Sequence, residues 1–177
     1  MGQIYIRPLE PHDAERLLEL KRRNREFFQP FEPIRDETHF TIDGQRAEIA
    51  NGAVSAKNDQ AYAFGIFLAE TDEIIGRIAL TGITRGPAQH ANVGYFIDQA
   101  HNGKGYATKA VELAVQAAFD ELGLHCVQAG VMPRNARSAR VLTKAGFRHE
   151  GLAKRYIKIN GAWEDHDLFA ITVEDLD

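Results

Sequence analysis

The segment Val93-Gly94-Tyr95-Phe96-Ile97-Asp98-Gln99-Ala100-His101-Asn102-Gly103-Lys104-Gly105-Tyr106-Ala107-Thr108 constrains this chain most. It reads as an apolar strand, a polar turn, two glycines around a lysine, and the start of an amphipathic helix. A strand feeding a helix through such a turn leaves backbone N–H groups unpaired at the positive end of the helix dipole, which makes an anion site. Gly103 and Gly105 carry no Cβ, so a phosphate can approach their backbone and the turn can take positive φ.

Two familiar phosphate loops do not fit. A Walker A loop needs Ser or Thr directly after its lysine and a glycine where Asp98 stands, but Gly105 follows Lys104. The dinucleotide fingerprint needs a third glycine where Thr108 stands, and an acidic residue at the end of the next strand, which reads Leu124-His125-Cys126-Val127-Gln128. Asn102-Gly103-Lys104-Gly105-Tyr106-Ala107 instead resembles [QR]-x-x-G-x-[GA], the pyrophosphate loop of the GCN5-related N-acetyltransferases (GNATs), departing from it at Asn102. Downstream, Asn135-Ala136-Arg137-Ser138 opens a segment that closes in Lys144-Ala145-Gly146-Phe147, similar to that superfamily's second coenzyme-A motif. Asn135 suits an N-cap and Gly146 a helix stop. The likeness runs from Ile6-Arg7-Pro8-Leu9 to the final strand and is nearest the RimJ/RimL-like branch, which acetylates N-terminal amines of ribosomal proteins.

Bulk properties set outer bounds. A chain of 177 residues suits one core, and residues 1–177 are expected to form one N-acetyltransferase domain. Charged residues make up 26% and hydrophobic ones 44%, as in ordinary globular proteins. A net charge of −4 gives no global attraction to nucleic acid, so no direct nucleic-acid binding is expected. The single cysteine, Cys126, excludes an intramolecular disulfide. Without a long apolar window or a basic, apolar leader, the expectation is a cytoplasmic protein with no membrane contact. The histidines have no metal-ligand spacing, and no metal is expected. A homodimer is compatible with the resemblance.

Along the chain, Tyr5–Leu9 reads as a strand, and a helix runs from Pro11 at its N1 position to about Asn24, with Ala14, Leu17, Leu18 and Lys21 on one face. A loop carries Phe27, Phe28, Pro30, Phe31 and Pro33, and a poor helical pattern spans Glu37 to about Asn58, interrupted by Gly44 and Gly52. Tyr62 to Leu68, Ile74 to Ile83 and Ala91 to Ile97 read as strands, Gly105 to Leu122 as a helix, and Leu124 to Met132 as a strand. After the short helix begun by Asn135, Phe147–Ile159 and Trp163–Val173 form a hairpin around Asn160-Gly161. The order matches an α/β mixed sheet of the GNAT acyl-CoA N-acyltransferase fold, mostly antiparallel with splayed central parallel strands.

The resemblance implies acetyl-CoA as donor, its pyrophosphate on the amides of Gly103, Lys104, Gly105, Tyr106 and Ala107, with the Thr108 hydroxyl adding a donor. Lys104 and Lys109 can add charge, and Arg134, Arg137, Arg140 and Arg148 suit a 3′-phosphate. The pantetheine arm would lie along Gly94 to Ile97, where backbone amides would stabilise the negative charge that develops on the acetyl oxygen. Gly94 reads either as a bulge or as a packing glycine. Asn135 would bond the pantetheine amide as well as cap its helix. Ser138, three residues on, is the leading catalytic residue, donating a hydrogen bond to the coenzyme sulfur; the alternative is that it only reinforces the helix start. Tyr95, Tyr106 and Cys126 read as packing residues.

The base is open. The RimL branch carries a glutamate where Ile157 stands here, so Glu32, Glu150, Glu164, Asp165, His166 and Asp167 are all candidates. A terminal α-amine, with a pKa of about 7.7–8.0 against about 10.4 for lysine, makes a weak base tolerable. The favoured acceptor is a protein N-terminus, with Phe27, Phe28 and Phe31 as a wall of its site or as a cover for the core. A small amine (polyamine, amino acid or aminoglycoside) and a non-catalytic acyl-CoA sensor are the alternatives.

Overall fold

The computed structural model describes residues 2–176. Seven strands form one sheet: β1 (Ile4–Pro8), β2 (Tyr62–Leu68), β3 (Ile74–Thr84), β4 (His90–Ile97), β5 (Cys126–Val131), β6 (Arg148–Ile159) and β7 (Ala162–Thr172). Their order is β1-β2-β3-β4-β5-β7-β6, and the β4–β5 pair alone is parallel. That pair needs a crossover, which α4 (Tyr106–Gln116) supplies. The mixed α/β sheet expected from the element order is the sheet observed.

Helices cover both faces. On one, α4 lays Ala110, Val111, Ala114 and Val115 against Ile78, Leu80, Ala91, Val93 and Val127, joined by Leu142 from α5 (Ala136–Lys144). Alanines along α4 let its axis come close to the sheet. On the other, α1 (Ala14–Arg23) and α3 (Ile42–Lys57) pack Leu17, Leu20 and Ile49 against Phe67 and Ile74. Each fully buried Leu, Ile or Phe contributes roughly 1.5–3 kcal/mol of transfer free energy.

Several boundaries differ from the sequence reading. The aromatic segment is ordered as α2 (Arg25–Phe28) and a 3₁₀ turn, Gln29–Phe31. Glu37–Phe40 is also a 3₁₀ turn, and Thr41 caps α3 by accepting from the Gly44 amide. Gly44, which looked like a helix breaker, is a close-approach residue: a Cβ there would lie 1.8 Å from the Thr38 carbonyl oxygen. The helix after the Gly103-Lys104-Gly105 turn is α only to Gln116 and closes in a π turn, Ala117–Glu121. The hairpin turn falls on Asn160 and Gly161, both at positive φ (48° and 86°), as the Asn-Gly pair predicts.

Candidate active site

Strand β4 ends at Ile97, and Asp98 anchors the turn beyond it. Its buried carboxylate accepts from Arg23 at 2.6 and 3.0 Å, from Asn24 Nδ2 at 3.1 Å and from the Ala100 amide at 3.2 Å. The chain then reaches Gly103 and Gly105 at φ of 76° and 81°, and Gly105 caps α4. The first helical bond runs from the Lys109 amide to the Gly105 carbonyl at 3.2 Å. The amides of Gly103, Lys104, Gly105, Tyr106, Ala107 and Thr108 therefore have no acceptor among the described residues. Gly103, Gly105, Tyr106, Ala107 and Thr108 line a cleft of about 210 Å³ together with Arg137, Arg140 and Lys144 from α5.

Other basic residues singled out in the sequence lie elsewhere. Arg148 pairs with Glu150 and Asp175, Lys109 stands 3.9 Å from Glu112, and the Lys104 side chain is exposed outside the cleft lining. Arg134 borders the neighbouring channel rather than this cleft, and donates to Glu164 at 3.0 Å and to the Pro30 carbonyl at 3.0 Å.

Parallel pairing between β4 and β5 covers only His90–Asn92 against Cys126–Gln128. Past Asn92, β4 keeps β3 on one side and loses β5 on the other, so the two parallel strands diverge. A channel of about 370 Å³ opens beside this stretch, lined by Tyr95, Phe96 and Ile97 from β4 and by Asn135, Ser138 and Val141 from the start of α5. Asn135 accepts from the Ser138 amide at 3.2 Å, which is the expected cap. Ser138 Oγ lies 2.7 Å from the Tyr95 hydroxyl.

Two sequence readings change here. Tyr95 is not only a packing residue: the β alternation that buries Val93 and Ile97 on the α4 side carries Tyr95 to α5. Burial pushes its phenol up to about 12 despite the opposing hydrogen bond from Ser138, so it keeps its proton. When Tyr95 donates, the Ser138 hydrogen is free to point into the channel. Gly94 makes no bulge, since it pairs in register with Ala79, and it is not a packing glycine, since a Cβ there meets no heavy atom within 4 Å.

Gly94 borders a further cavity of about 320 Å³. This cavity shares Phe28, Phe31, Tyr95 and Phe96 with the channel and adds Lys21, Glu32, Arg35, His39, Glu48 and Arg77. Glu32 is half-buried, and burial raises its carboxyl pKa against the pull of Arg35 and Lys21. Lys21 Nζ sits 2.6 Å from Glu48, both largely withdrawn from water. The Asn160 amide donates to the Glu32 carbonyl at 2.9 Å, and Gln29 reaches Asn160 at 3.1 Å, fastening the aromatic segment to the β6–β7 turn. Phe28 serves both suggested roles, since it is buried in the α1 core and walls the two cavities, while Phe31 is exposed.

Among the base candidates only Glu32 lines this cavity. Glu150 pairs with Arg148, Glu164 with Arg134 and Asp167 with His149; Asp165 accepts from the Arg155 amide, and buried His166 meets the Glu164 carbonyl. Ile157 is exposed opposite Glu164. Cys126 is half-buried with its thiol pKa raised by burial. Sequence reading missed Lys21, Glu48, Arg77 and Tyr95. A signal existed for Lys21, a lysine on the apolar stripe of α1, because a buried lysine needs an acidic partner.

A cleft walled by unpaired amides and arginines, a channel along an unpaired strand edge and a second cavity behind a shared aromatic wall lie side by side, an arrangement that suits a group transferase. Residues 3–148 match the acetyltransferase (GNAT) domain model. The chain is 52% identical over 168 residues to the "Probable N-acetyltransferase YjcK" of Bacillus subtilis (strain 168), covering 95% of this chain and 93% of that protein. It is 35% identical over 173 residues to the "[Ribosomal protein uS5]-alanine N-acetyltransferase" of Escherichia coli (strain K12), covering 98% and 89%. Mycobacterium smegmatis RimJ in complex with CoA-disulfide superposes with a TM-score of 0.94 at 31% identity, covering 99% of this chain and 84% of that one. This chain belongs to the GNAT family and is an N-acetyltransferase.

Proposed function

We propose that the chain, acting as one domain, transfers acetyl from acetyl-CoA to the N-terminal α-amine of a protein, and that this protein is ribosomal. The carrying observation is the row of unpaired amides from Gly103 to Thr108, at a cleft shared with Arg137 and Arg140. Unpaired N–H groups at a helix start, with glycine where a Cβ would crowd the ligand, fit a diphosphate. Ile97 and Asn135 line the channel suited to the pantetheine arm. The relatives support the same reading, since one is named for acetylating the alanine of a ribosomal protein and another holds CoA as its disulfide.

Bound acetyl-CoA supplies the activated acetyl group; the rest falls to this chain. Ser138, held by the Asn135 cap and the Tyr95 hydroxyl, is positioned to donate toward a sulfur in the channel. Glu32 can accept the proton of an incoming ammonium, directly or through water, and its raised pKa brings it nearer that task. Amides on the open edge of β4 can bond the acetyl oxygen as charge gathers there.

The acceptor cavity bears on the alternatives. A polycation would call for an acidic pocket, but Lys21, Arg35 and Arg77 here face Glu32 and Glu48. Thiol release measured with N-terminal peptides, spermidine and free amino acids tests the proposal. Peptides are expected to turn over with the highest kcat/KM; turnover of spermidine alone would reject the peptide acceptor, and acetyl-CoA binding without turnover of any acceptor would favour a sensor.

A further inference from the structure

Arg77 has an unusual position for a guanidinium. It stands on β3 in the middle of the sheet, between the acceptor cavity and a smaller apolar one, and its buried Nε finds no hydrogen-bond partner. No carboxylate lies within ion-pair distance of it among the described residues. Arg35, across the acceptor cavity at the exposed rim, is likewise without one. Glu48, whose charge acts on Arg77, is already held by Lys21 at 2.6 Å. An arginine presents a planar fork of five donors, and this half-buried one, with no donor engaged by the protein and only the distant charge of Glu48 to balance it, leaves that fork open to a ligand. Gly94, on the adjacent strand, leaves the same cavity free of a side chain where a ligand would enter.

We infer that Arg77 and Arg35 form a carboxylate subsite, so that the enzyme selects acceptors carrying a carboxylate a short distance from the reacting amine. This subsite rests on the acceptor cavity being where the amine enters. The preferred source is an acidic side chain within the first few residues of the peptide; the α-carboxylate of a free amino acid offers the same chemistry at shorter range. The fork of Arg77 can receive both carboxylate oxygens, while a lysine or an amide in that place would leave it unpaired.

The test uses the full-length enzyme with acetyl-CoA and hexapeptides beginning in alanine, in which one glutamate or its glutamine isostere is moved through the second, third and fourth positions. Free alanine and alaninamide form a second pair. At one register the glutamate peptide should exceed its glutamine counterpart in kcat/KM by on the order of tenfold, the size of one charge-assisted hydrogen bond, mainly through KM. Arg77→Met and Arg35→Gln should each bring that ratio towards one; should Arg77→Met not fold, Arg35→Gln at the rim carries the comparison.

If peptides are acetylated but glutamate and glutamine are equivalent at every register, the subsite is wrong and the peptide acceptor stands. If only alanine outruns its amide, and the variants remove that gap, the subsite stands and the peptide acceptor falls. Turnover confined to spermidine removes both.

Discussion

The Tyr95 hydroxyl and Ser138 Oγ lie 2.7 Å apart across the seam between β4 and α5. Neither residue is near the other in sequence; the splay after Asn92 and the Asn135 cap bring them together. Ser138→Ala should lower kcat by roughly 10- to 100-fold while the acetyl-CoA dissociation constant stays within about twofold. Tyr95→Phe should cost less, and the double variant no more than Ser138→Ala alone, because both act through one hydroxyl. Steady-state kinetics with calorimetric binding checks this, and an unchanged kcat in Ser138→Ala would leave the serine a helix-capping role only.

Gly103 is left-handed at φ 76° with open space around it. Gly103→Ala should destabilise the fold by about 1 kcal/mol from backbone strain alone. Its larger effect should be on donor binding, with KM for acetyl-CoA rising by about tenfold or more as the methyl enters the space kept for phosphate. Thermal melts with and without CoA separate the two effects: the variant should lose most of the ligand-induced rise in Tm.

The pH profile should report Glu32. Its carboxyl is raised by burial, so the ionised form that accepts a proton is lost as pH falls through that raised pKa, and kcat/KM should fall with it. Glu32→Gln should flatten this acid limb and lower the plateau by roughly 10²- to 10⁴-fold if Glu32 is the base. An acid limb that survives in Glu32→Gln at the same midpoint belongs to another group.

Asp98 should matter to stability and donor binding together. Burial alone would raise its carboxyl pKa, but hydrogen bonds from Arg23, Asn24 and the Ala100 amide outweigh that and hold it below the usual range. The stability it contributes is present above about pH 4, the ordinary carboxylate pKa, and is lost as pH falls through the depressed value. Asp98→Ala should cost about 2–4 kcal/mol, because it leaves Asn24 and Arg23 without their acceptor. It should also raise KM for acetyl-CoA, since the phosphate loop loses its anchor on α1; urea melts and donor titrations check both.

How much of this was legible in the sequence depends on how local each signal is. The phosphate loop and the Asn135 cap are short segments whose glycines and polar residues state their own conformation, and the Asn160-Gly161 turn is equally local. The β4–β5 splay and the Tyr95–Ser138 contact depend on where separate elements land, so Tyr95 read as packing. Gly44 and Gly94 show the same limit: a missing side chain does not say whether it spares a carbonyl, as at Gly44, or leaves a cavity open, as at Gly94. The acceptor cavity was the least legible, because Lys21, Arg77 and Glu48 come from three distant elements, and only Lys21 stood out against its neighbours.

Backbone resonances of Gly103, Lys104, Gly105, Tyr106, Ala107 and Thr108 during titration with CoA give the most direct test. All six amides should move strongly downfield at saturation, and should stay in place with pantetheine, which lacks the diphosphate. Amides that hold their free positions in the presence of saturating CoA would contradict the donor site assigned to this loop.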